Sequence, residues 1–278
     1  MSAPRACVIG WPVRHSRSPM IHGYWLKQYG IAGSYEHAEV PPEGFADFVR
    51  GFGREGFVGG NVTIPHKEAG FALVDEADGD AAALGAVNTL WLEDGRLFGA
   101  NTDGIGFLAN LDQGAPDWEG DRGTAVVLGA GGASRAVVRA LASRGFGRIA
   151  VVNRTADKAE AVAALAGPAG RACGYDELWR WLQSAQVLVN ATSLGMVGKG
   201  KLDVHLGELP EDAVVNDLVY VPLETGLLAQ ARAHGNRVVD GLGMLLHQAV
   251  PGFERWFGTR PEVTEELRAL VAADIEGR

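Results

Sequence analysis

The chain of 278 residues is long enough for one large domain or two ordinary ones, each with ample core. Its net charge of −9, sequence pI of about 5.3 and 21% charged residues argue against nucleic acid or an anionic membrane as the main partner, while leaving room for an anionic small molecule at a local positive site. Two distant cysteines, Cys7 and Cys173, indicate no disulfide framework and fit a reducing cytoplasm; no signal peptide or membrane-spanning run is apparent, and no histidine set has zinc spacing, so no metal is expected.

Strand and helix patterns alternate along the chain, which predicts an α/β fold with parallel sheets. "RACVIGWPV" (5–13) reads as a strand, "SPMIHGYWLKQYG" (18–30) as a helix closed by Gly30, and "GSYEHAEV" (33–40) as a strand. A helix follows over 43–56, and "FVGGNVTI" (57–64) is a strand. Pro65 suits the first position of a helix over "EAGFALVDEA" (68–77). Lys67 then sits in a first helical turn, where the macrodipole disfavours a cation. "NTLWLEDGRLFGAN" (88–101) is a hairpin about Asp94-Gly95, a type I′ turn signal.

The polar stretch "GAPDWEGDRG" (114–123) leads into a second unit with a cleaner pattern. "TAVVLG" is a strand of the kind buried on both faces, and "ASRAVVRALASRG" is its helix. Strands "RIAVVN", "AQVLVNATS", "AVVNDLVY" and "NRVVDG" follow, with helices "ADKAEAVAALAG" and "ETGLLAQARAHG" among them. The last two helices, over 243–258 and 262–275, have no strand after them and are expected to return to the first domain.

"TAVVLGAGGASRAVV" is strand, glycine loop, helix, with Gly129 and Gly131 at the first two positions of G-x-G-x-x-G and Ser134 at the third. That pattern suits a dinucleotide pyrophosphate at a helix N-terminus. The next strand ends at Asn153-Arg154-Thr155, where an NAD site usually carries an acid for the ribose 2′-hydroxyl. Arg154, Thr155 and Lys158 stand there instead and suit a 2′-phosphate, so NADP is expected rather than NAD. The plain alternative is a solvated Arg154 and a Thr155 that caps the next helix.

Catalytic groups are sought in the first domain, because no lysine has a tyrosine four residues before it and a short-chain-type pair is excluded. In "HSRSP" (15–19), Ser16 and Ser18 share a face if the chain is extended and can grip one carboxylate. Ser18-Pro19 equally reads as an N-cap with proline at the first helical position. Asp103 of "NTDG" has a bland reading as a cap or turn residue, and Asn88 of "GAVNTL" as a strand-edge residue.

Taken together, "HSRSP", "NVTIPHK", "GAVNTL", "NTDG", "GAGGAS", "NRT", "NATSLGM", "DLVY" and "DGLGMLLHQ" resemble the shikimate dehydrogenase family, in the family's order and over residues 15–248. The resemblance implies reversible NADP-dependent reduction of 3-dehydroshikimate to shikimate in aromatic amino-acid biosynthesis. It implies a substrate domain (1–105 plus 243–278) and a Rossmann-type NADP domain (106–242) with a cleft between them. Lys67 and Asp103 then look like the catalytic pair, and Ser16 and Ser18 like the carboxylate grip. Asn61, Thr63, Asn88, Tyr220 and Gln248 look like contacts to ring hydroxyls or catalytic residues. Gly129, Ala130, Gly131, Gly132 and Ala133, with Asn153, Arg154, Thr155, Lys158, Leu218 and Gly241, look like the cofactor's surroundings. A related branch of broader quinate/shikimate dehydrogenases often departs at the second serine and at the cofactor-phosphate residues. Here both serines and Arg154 are present, which favours the shikimate-specific form. A small-molecule substrate, neither nucleic acid nor membrane, and a monomer or homodimer complete the expectations.

Overall fold

Two six-stranded sheets organise the chain, of which the computed structural model describes residues 3–277. The chain up to Thr102, joined by Gln248–Val271, makes one unit, and Asp103–His247, joined by the residues from Ala272 on, makes the other.

In the first unit β1 (Arg5–Gly10), β2 (Ser34–Glu39) and β3 (Phe57–Val62) are parallel neighbours. They are linked by α1 (Ser18–Gln28) and by two short helices, α2 (Phe45–Arg50) and α3 (Phe52–Glu55). After α4 (Lys67–Phe71), β4 (Glu76–Ala77) and α5 (Gly79–Leu84) comes the antiparallel pair β5 (Thr89–Glu93) and β6 (Arg96–Ala100), giving the order β2-β1-β3-β5-β6-β4. Asp94 and Gly95 take φ of 51° and 77°, and Glu93 pairs with Arg96, as a type I′ hairpin requires. Cys7, Ile9, Phe45, Phe52, Val62 and Leu90 build the core on one face of the sheet.

The helix expected over 68–77 stops at Phe71. Gly70 lies so close under Val87 that a Cβ there would come within 2.8 Å of its Cγ2. The next residues turn away to the sheet: Leu97 N–H donates to Asp75 Oδ2 (2.7 Å), and Glu76 pairs with Phe98. Tertiary pairing thus overrides the local helical pattern. Pro65 is not helical either; it sits in a turn closed by His66 N–H to Thr63 O (2.9 Å), and Lys67 is the first helical residue.

The second unit runs α6 (Asp103–Gly114), β7 (Thr124–Leu128), α7 (Gly132–Ser143), β8 (Arg148–Val152), α8 (Ala156–Ala163), β9 (Gly170–Cys173), α9 (Leu178–Leu182), β10 (Ala185–Asn190), β11 (Val214–Asp217), α10 (Gly226–His234), β12 (Arg237–Val239) and α11 (Leu242–His247). Its sheet is parallel throughout, in the order β12-β11-β10-β7-β8-β9. This is the doubly wound dinucleotide-binding order, with its switch point between β7 and β10. All five residues of β7 are buried, as a strand with helices on both faces must be. The edge strand β9 and the short α9 have no clear counterpart in the sequence pattern; "GRAC" is four residues long and partly exposed.

Tight packing sets where the second unit begins and ends. Gly243 of α11 lies against Asn110 of α6, so that a Cβ would fall 1.8 Å from Asn110 Oδ1. Asn110 Nδ2 donates to Asp240 O (2.7 Å), and His247 Nε2 meets Gln113 Oε1 (2.8 Å). These contacts put α11, which the sequence pattern joined to the first domain from residue 243, in the second unit, and they start that unit at Asp103 rather than 106.

Helix α12 (Val250–Phe257) packs on β3 and β5, and α13 (Glu265–Ile275) closes the chain. Trp256 Nε1–H donates to Leu90 O (2.9 Å). The approach is possible because β3 offers Gly59 there: a Cβ would lie 2.3 Å from Trp256 Nε1. Burial of an indole contributes about 4–6 kcal/mol on area grounds, so Trp256 alone is a strong anchor. Trp25 Nε1–H to Glu262 O (3.0 Å) ties the segment before α13 to α1.

Candidate active site

In the first unit the candidate substrate residues gather at the carboxyl ends of β1 and β3. Ser16 and Ser18 do come together: Ser16 Oγ donates to Ser18 Oγ (3.2 Å), and Ser18 N–H donates to Ser16 Oγ (3.3 Å). The route differs from the extended chain inferred from spacing. Arg17 has φ −87° and ψ −1°, and the turn is closed by Ser16 N–H to Val13 O (2.9 Å). Ser18 is not the N-cap; Arg17 holds that position, no side chain caps the helix, and Ser18 is its first, nearly buried residue.

Thr63 leaves β3 with its N–H on Ile9 O (2.9 Å), beside Gly10, where a Cβ would lie 2.6 Å from Thr63 Cγ2. Lys67 is half-buried at the start of the five-residue α4. Its neighbour His66 anchors the loop: buried, stacked on Phe45 at 4.4 Å, with Nε2 2.7 Å from Val40 O. Lys67 O accepts from Val87 N (3.0 Å), which joins the lysine's backbone to the segment carrying Asn88.

Asn88 is 3% exposed and central to a polar network. Its Oδ1 accepts from Thr102 N (2.9 Å), Thr102 Oγ1 (3.1 Å) and Thr89 Oγ1 (3.0 Å), and its Nδ2 donates to Gln248 Oε1 (3.4 Å). Thr102 Oγ1 also lies 2.8 Å from Gln248 O. Asn61 extends the network: Nδ2 reaches Asn88 O (3.1 Å) and Thr89 Oγ1 (3.3 Å), and Oδ1 accepts from Tyr35 Oη (2.6 Å). Asn61 is thus tied into the frame that holds Asn88. Asp103 directly follows Thr102 as the first residue of α6, so the network fixes the residue before it.

In the second unit the candidate cofactor residues line the carboxyl ends of β7, β8, β11 and β12. Gly129 has φ +100°, and a Cβ would meet Thr192 Cγ2 at 2.7 Å, so glycine is required on both counts. Cβ atoms at Gly131 and Gly132, in contrast, would point into open space at the start of α7. Ser134, at the third glycine's place, is buried and accepts a hydrogen bond from Gly131 N–H (3.2 Å), pinning the loop in a way glycine cannot. Ala130 and Ala133 complete this turn.

At the end of β8, Asn153 Nδ2 donates to Thr155 O (3.0 Å). Thr155 stands at the N-cap of α8, but its hydroxyl makes no capping bond, so the alternative use for it is not the one seen. Arg154 and Lys158 are exposed, and neither pairs with a carboxylate among the described residues. Leu218 N–H donates to Asn190 O (3.0 Å), and a Cβ on Gly241 would fall 2.2 Å from Leu218 O, so only glycine lets these two segments touch.

Sequence reasoning missed a second network that holds this edge. Asp217, fully buried, accepts from Asn190 Nδ2 (2.9 Å), Val219 N (3.0 Å) and Thr225 Oγ1 (2.7 Å). Asn190 Oδ1 takes Thr192 N (3.0 Å) and Oγ1 (2.7 Å). Burial pushes the Asp217 carboxyl above its ordinary value, and the bonds from Thr225, Val219 and Asn190 pull it back. The loop with Leu218 and Tyr220 and the "NATSLGM" turn are thereby locked together. Tyr35, Thr89 and Thr102 were missed too; the two threonines lie inside the motifs "GAVNTL" and "NTDG", next to the candidates Asn88 and Asp103.

Three family models match: the shikimate dehydrogenase substrate binding domain over residues 8–90, shikimate/quinate 5-dehydrogenase over 116–202, and the shikimate 5′-dehydrogenase C-terminal domain over 241–270. The shikimate dehydrogenase (NADP(+)) of Methylobacterium radiotolerans is 60% identical, covering 100% of this chain and 99% of its own. The chain belongs to the shikimate dehydrogenase family. Among solved structures of that family, the Thermus thermophilus shikimate 5-dehydrogenase in complex with NADP(H) and shikimate matches with a TM-score of 0.86 and 38% identity, covering 99% of this chain and all of the other. A Corynebacterium glutamicum quinate dehydrogenase in complex with NAD matches with a TM-score of 0.89 and 30% identity, covering 98% and 100%. No helix among the described residues is long and apolar enough to cross a membrane.

Proposed function

We infer that the chain is an NADP-dependent shikimate dehydrogenase, an oxidoreductase that reversibly reduces 3-dehydroshikimate to shikimate on the route to chorismate and the aromatic amino acids. The observation that carries this is near-full-length identity of 60% to a protein named for that activity and cofactor. The glycine turn fits the cofactor: two open glycine positions at a twelve-residue helix N-terminus leave room for a pyrophosphate. Arg154, Thr155 and Lys158 would receive the 2′-phosphate, and Asn153, Leu218 and Gly241 would line the remainder. The free thiols Cys7 and Cys173 fit a reducing cytoplasm.

NADPH, when bound, supplies the hydride for the carbonyl carbon. The Lys67 ammonium would stabilise the developing alkoxide and deliver its proton, and the Asp103 carboxylate would orient that ammonium. Ser16 and Ser18, whose hydroxyls already meet, would turn them onto the substrate carboxylate. Asn61, Thr63, Asn88, Tyr220 and Gln248 would hold the ring hydroxyls or the catalytic pair. The first unit thereby carries most of the substrate residues and the second the cofactor residues, together with Asp103 and Tyr220.

The quinate dehydrogenase relative raises a broader specificity, but that branch's departures at the second serine and the phosphate residues are absent here. Purified protein should reduce NADP⁺ with shikimate, followed by absorbance, at a far higher kcat/KM than with quinate or with NAD⁺. No turnover of shikimate, or a preference for quinate with NAD⁺, would overturn the reading.

A further inference from the structure

Tyr35 starts a line of buried hydrogen bonds that ends at Asn88 and Gln248. Two backbone groups fix the direction of that line. Thr102 N–H can only donate, so the Asn88 atom 2.9 Å away is its oxygen. Thr89 Oγ1, 3.0 Å from the same oxygen, must then donate to it, which leaves its lone pairs for Asn61 Nδ2. Asn88 O can only accept, so it also demands Asn61 Nδ2 (3.1 Å). Asn61 Oδ1 therefore faces Tyr35, and the phenol must be the donor at 2.6 Å. No member of the line can reverse without breaking the next.

The phenol is held as firmly as its role requires. His22 stacks on Tyr35 at 3.9 Å with planes 12° apart, and Trp256 leans on it at 5.8 Å. Burial drives the phenol well above its ordinary range, so it keeps its proton. Asn61 is 5% exposed, so water does not readily replace the phenol, and the donor its oxygen would turn to is the buried His22 ring, whose nitrogens have no other hydrogen-bond partner.

We propose that Tyr35, acting through Asn61 and Thr89, is a positioning residue that latches the Asn88 and Gln248 amides in the orientation that recognises the substrate's ring hydroxyls. The proposal rests on the shikimate dehydrogenase reading above. Removal of the phenol leaves Asn61 Oδ1 buried without its donor. Asn61 then turns to find another, Thr89 loses its donor from Asn61, and the Asn88 amide is left to Thr102 alone.

Steady-state kinetics of Tyr35→Phe, Thr89→Val, Thr89→Ser and the Tyr35→Phe/Thr89→Val double variant test this, with melting curves to confirm folding. Tyr35→Phe and Thr89→Val should each raise the shikimate KM about 5–30-fold, the effect of one buried hydrogen bond, with the NADP KM within about two-fold of wild type. Thr89→Ser, which keeps the hydroxyl, should stay near wild type. The double variant should be no worse than the worse single, because both break one line. A merely structural tyrosine would lower the melting temperature or the active fraction and leave the shikimate KM alone. An unmoved shikimate KM in Tyr35→Phe, or fully additive effects, overturns the proposal; should Tyr35→Phe not fold, equal KM values for Thr89→Val and Thr89→Ser overturn it. Wild-type turnover of shikimate is measured first. Its absence refutes the functional reading and this role with it, whereas normal wild-type turnover with an unmoved variant KM refutes the role alone.

Discussion

Alanine at Gly131 should separate cofactor binding from stability. Gly131 has φ −97° and ψ −169°, extended backbone open to any residue, and a methyl built there meets nothing within 4 Å. The reduced freedom of the unfolded chain favours alanine by about 0.4–1 kcal/mol. The N-cap preference for glycine over alanine opposes this by a comparable amount. At roughly 2–4 °C per kcal/mol for a chain of this size, Tm should stay within about 3 °C of wild type. The open space has a different value to a ligand. A pyrophosphate oxygen must come within about 3 Å of the backbone N–H groups at the start of α7, and a methyl in its path pushes it out. Losing one bond to a charged group costs about 1.5–3 kcal/mol, which is about 10–150-fold in the NADP KM. Gly129→Ala is the contrasting case. Its φ of +100° disfavours alanine, and Thr192, 2.7 Å away, cannot yield because its hydroxyl is tied to Asn190. That variant should lose both Tm and NADP affinity. Differential scanning calorimetry and NADP⁺ titrations at saturating shikimate read the two effects. A wild-type NADP KM in Gly131→Ala would refute the placement of the pyrophosphate, and a Tm loss as large as that of Gly129→Ala would refute the account of the open space.

Lys67→Ala should cut kcat by about 10²–10⁴ with the NADP KM little changed, and a near-normal kcat in a stopped assay would remove Lys67 from the chemistry. Arg154→Ala should raise the KM for NADPH far more than for NADH, since only the former carries the 2′-phosphate; equal effects would assign Arg154 elsewhere. Burial takes the His22 imidazole from 6.5 to about 3, so its contribution is present above pH 6.5 and is lost as pH falls toward 3. Urea unfolding of wild type should therefore lose about 2 kcal/mol relative to His22→Phe between pH 7.5 and pH 5, and parallel pH slopes in the two proteins would contradict a buried neutral ring.

The parallel sheet of the second unit was readable because its strands are continuous apolar runs, and the hairpin because Asp94-Gly95 fits one turn type. The helix over 68–77 failed for a physical reason: "EAGFALVDEA" has helical spacing, but Asp75 and Glu76 find partners on β6 that a local pattern cannot reveal. The edge strand β9 is too short and too exposed to carry a period. Among the site residues, the pairing of Ser16 with Ser18 was legible in kind and wrong in mechanism, since a turn and not an extended segment brings the hydroxyls together. Ser134 looked like a lapse from the glycine motif and is instead the group that holds Gly131.

The residues that hold the site in place share one property: they meet their partners across strands. Tyr35 and Asn61 are 26 positions apart and belong to strands that do not pair with each other. Both flank β1, in register with Ala6 and Val8 respectively. Ala6, packed in the same cluster as Tyr35, presents only a methyl, so the phenol can reach over β1 to the asparagine. The identity of a core alanine thus bears on how the site is built, and nothing in the local composition of β1, β2 or β3 says so. The same logic covers Asp217, Asn190 and Thr225, on three successive segments at the carboxyl end of the second sheet. Residues that touch ligands fall in short motifs because a loop or a strand end presents them together. The residues that hold those in place are distributed by sheet order, and sheet order emerges only when the chain is folded.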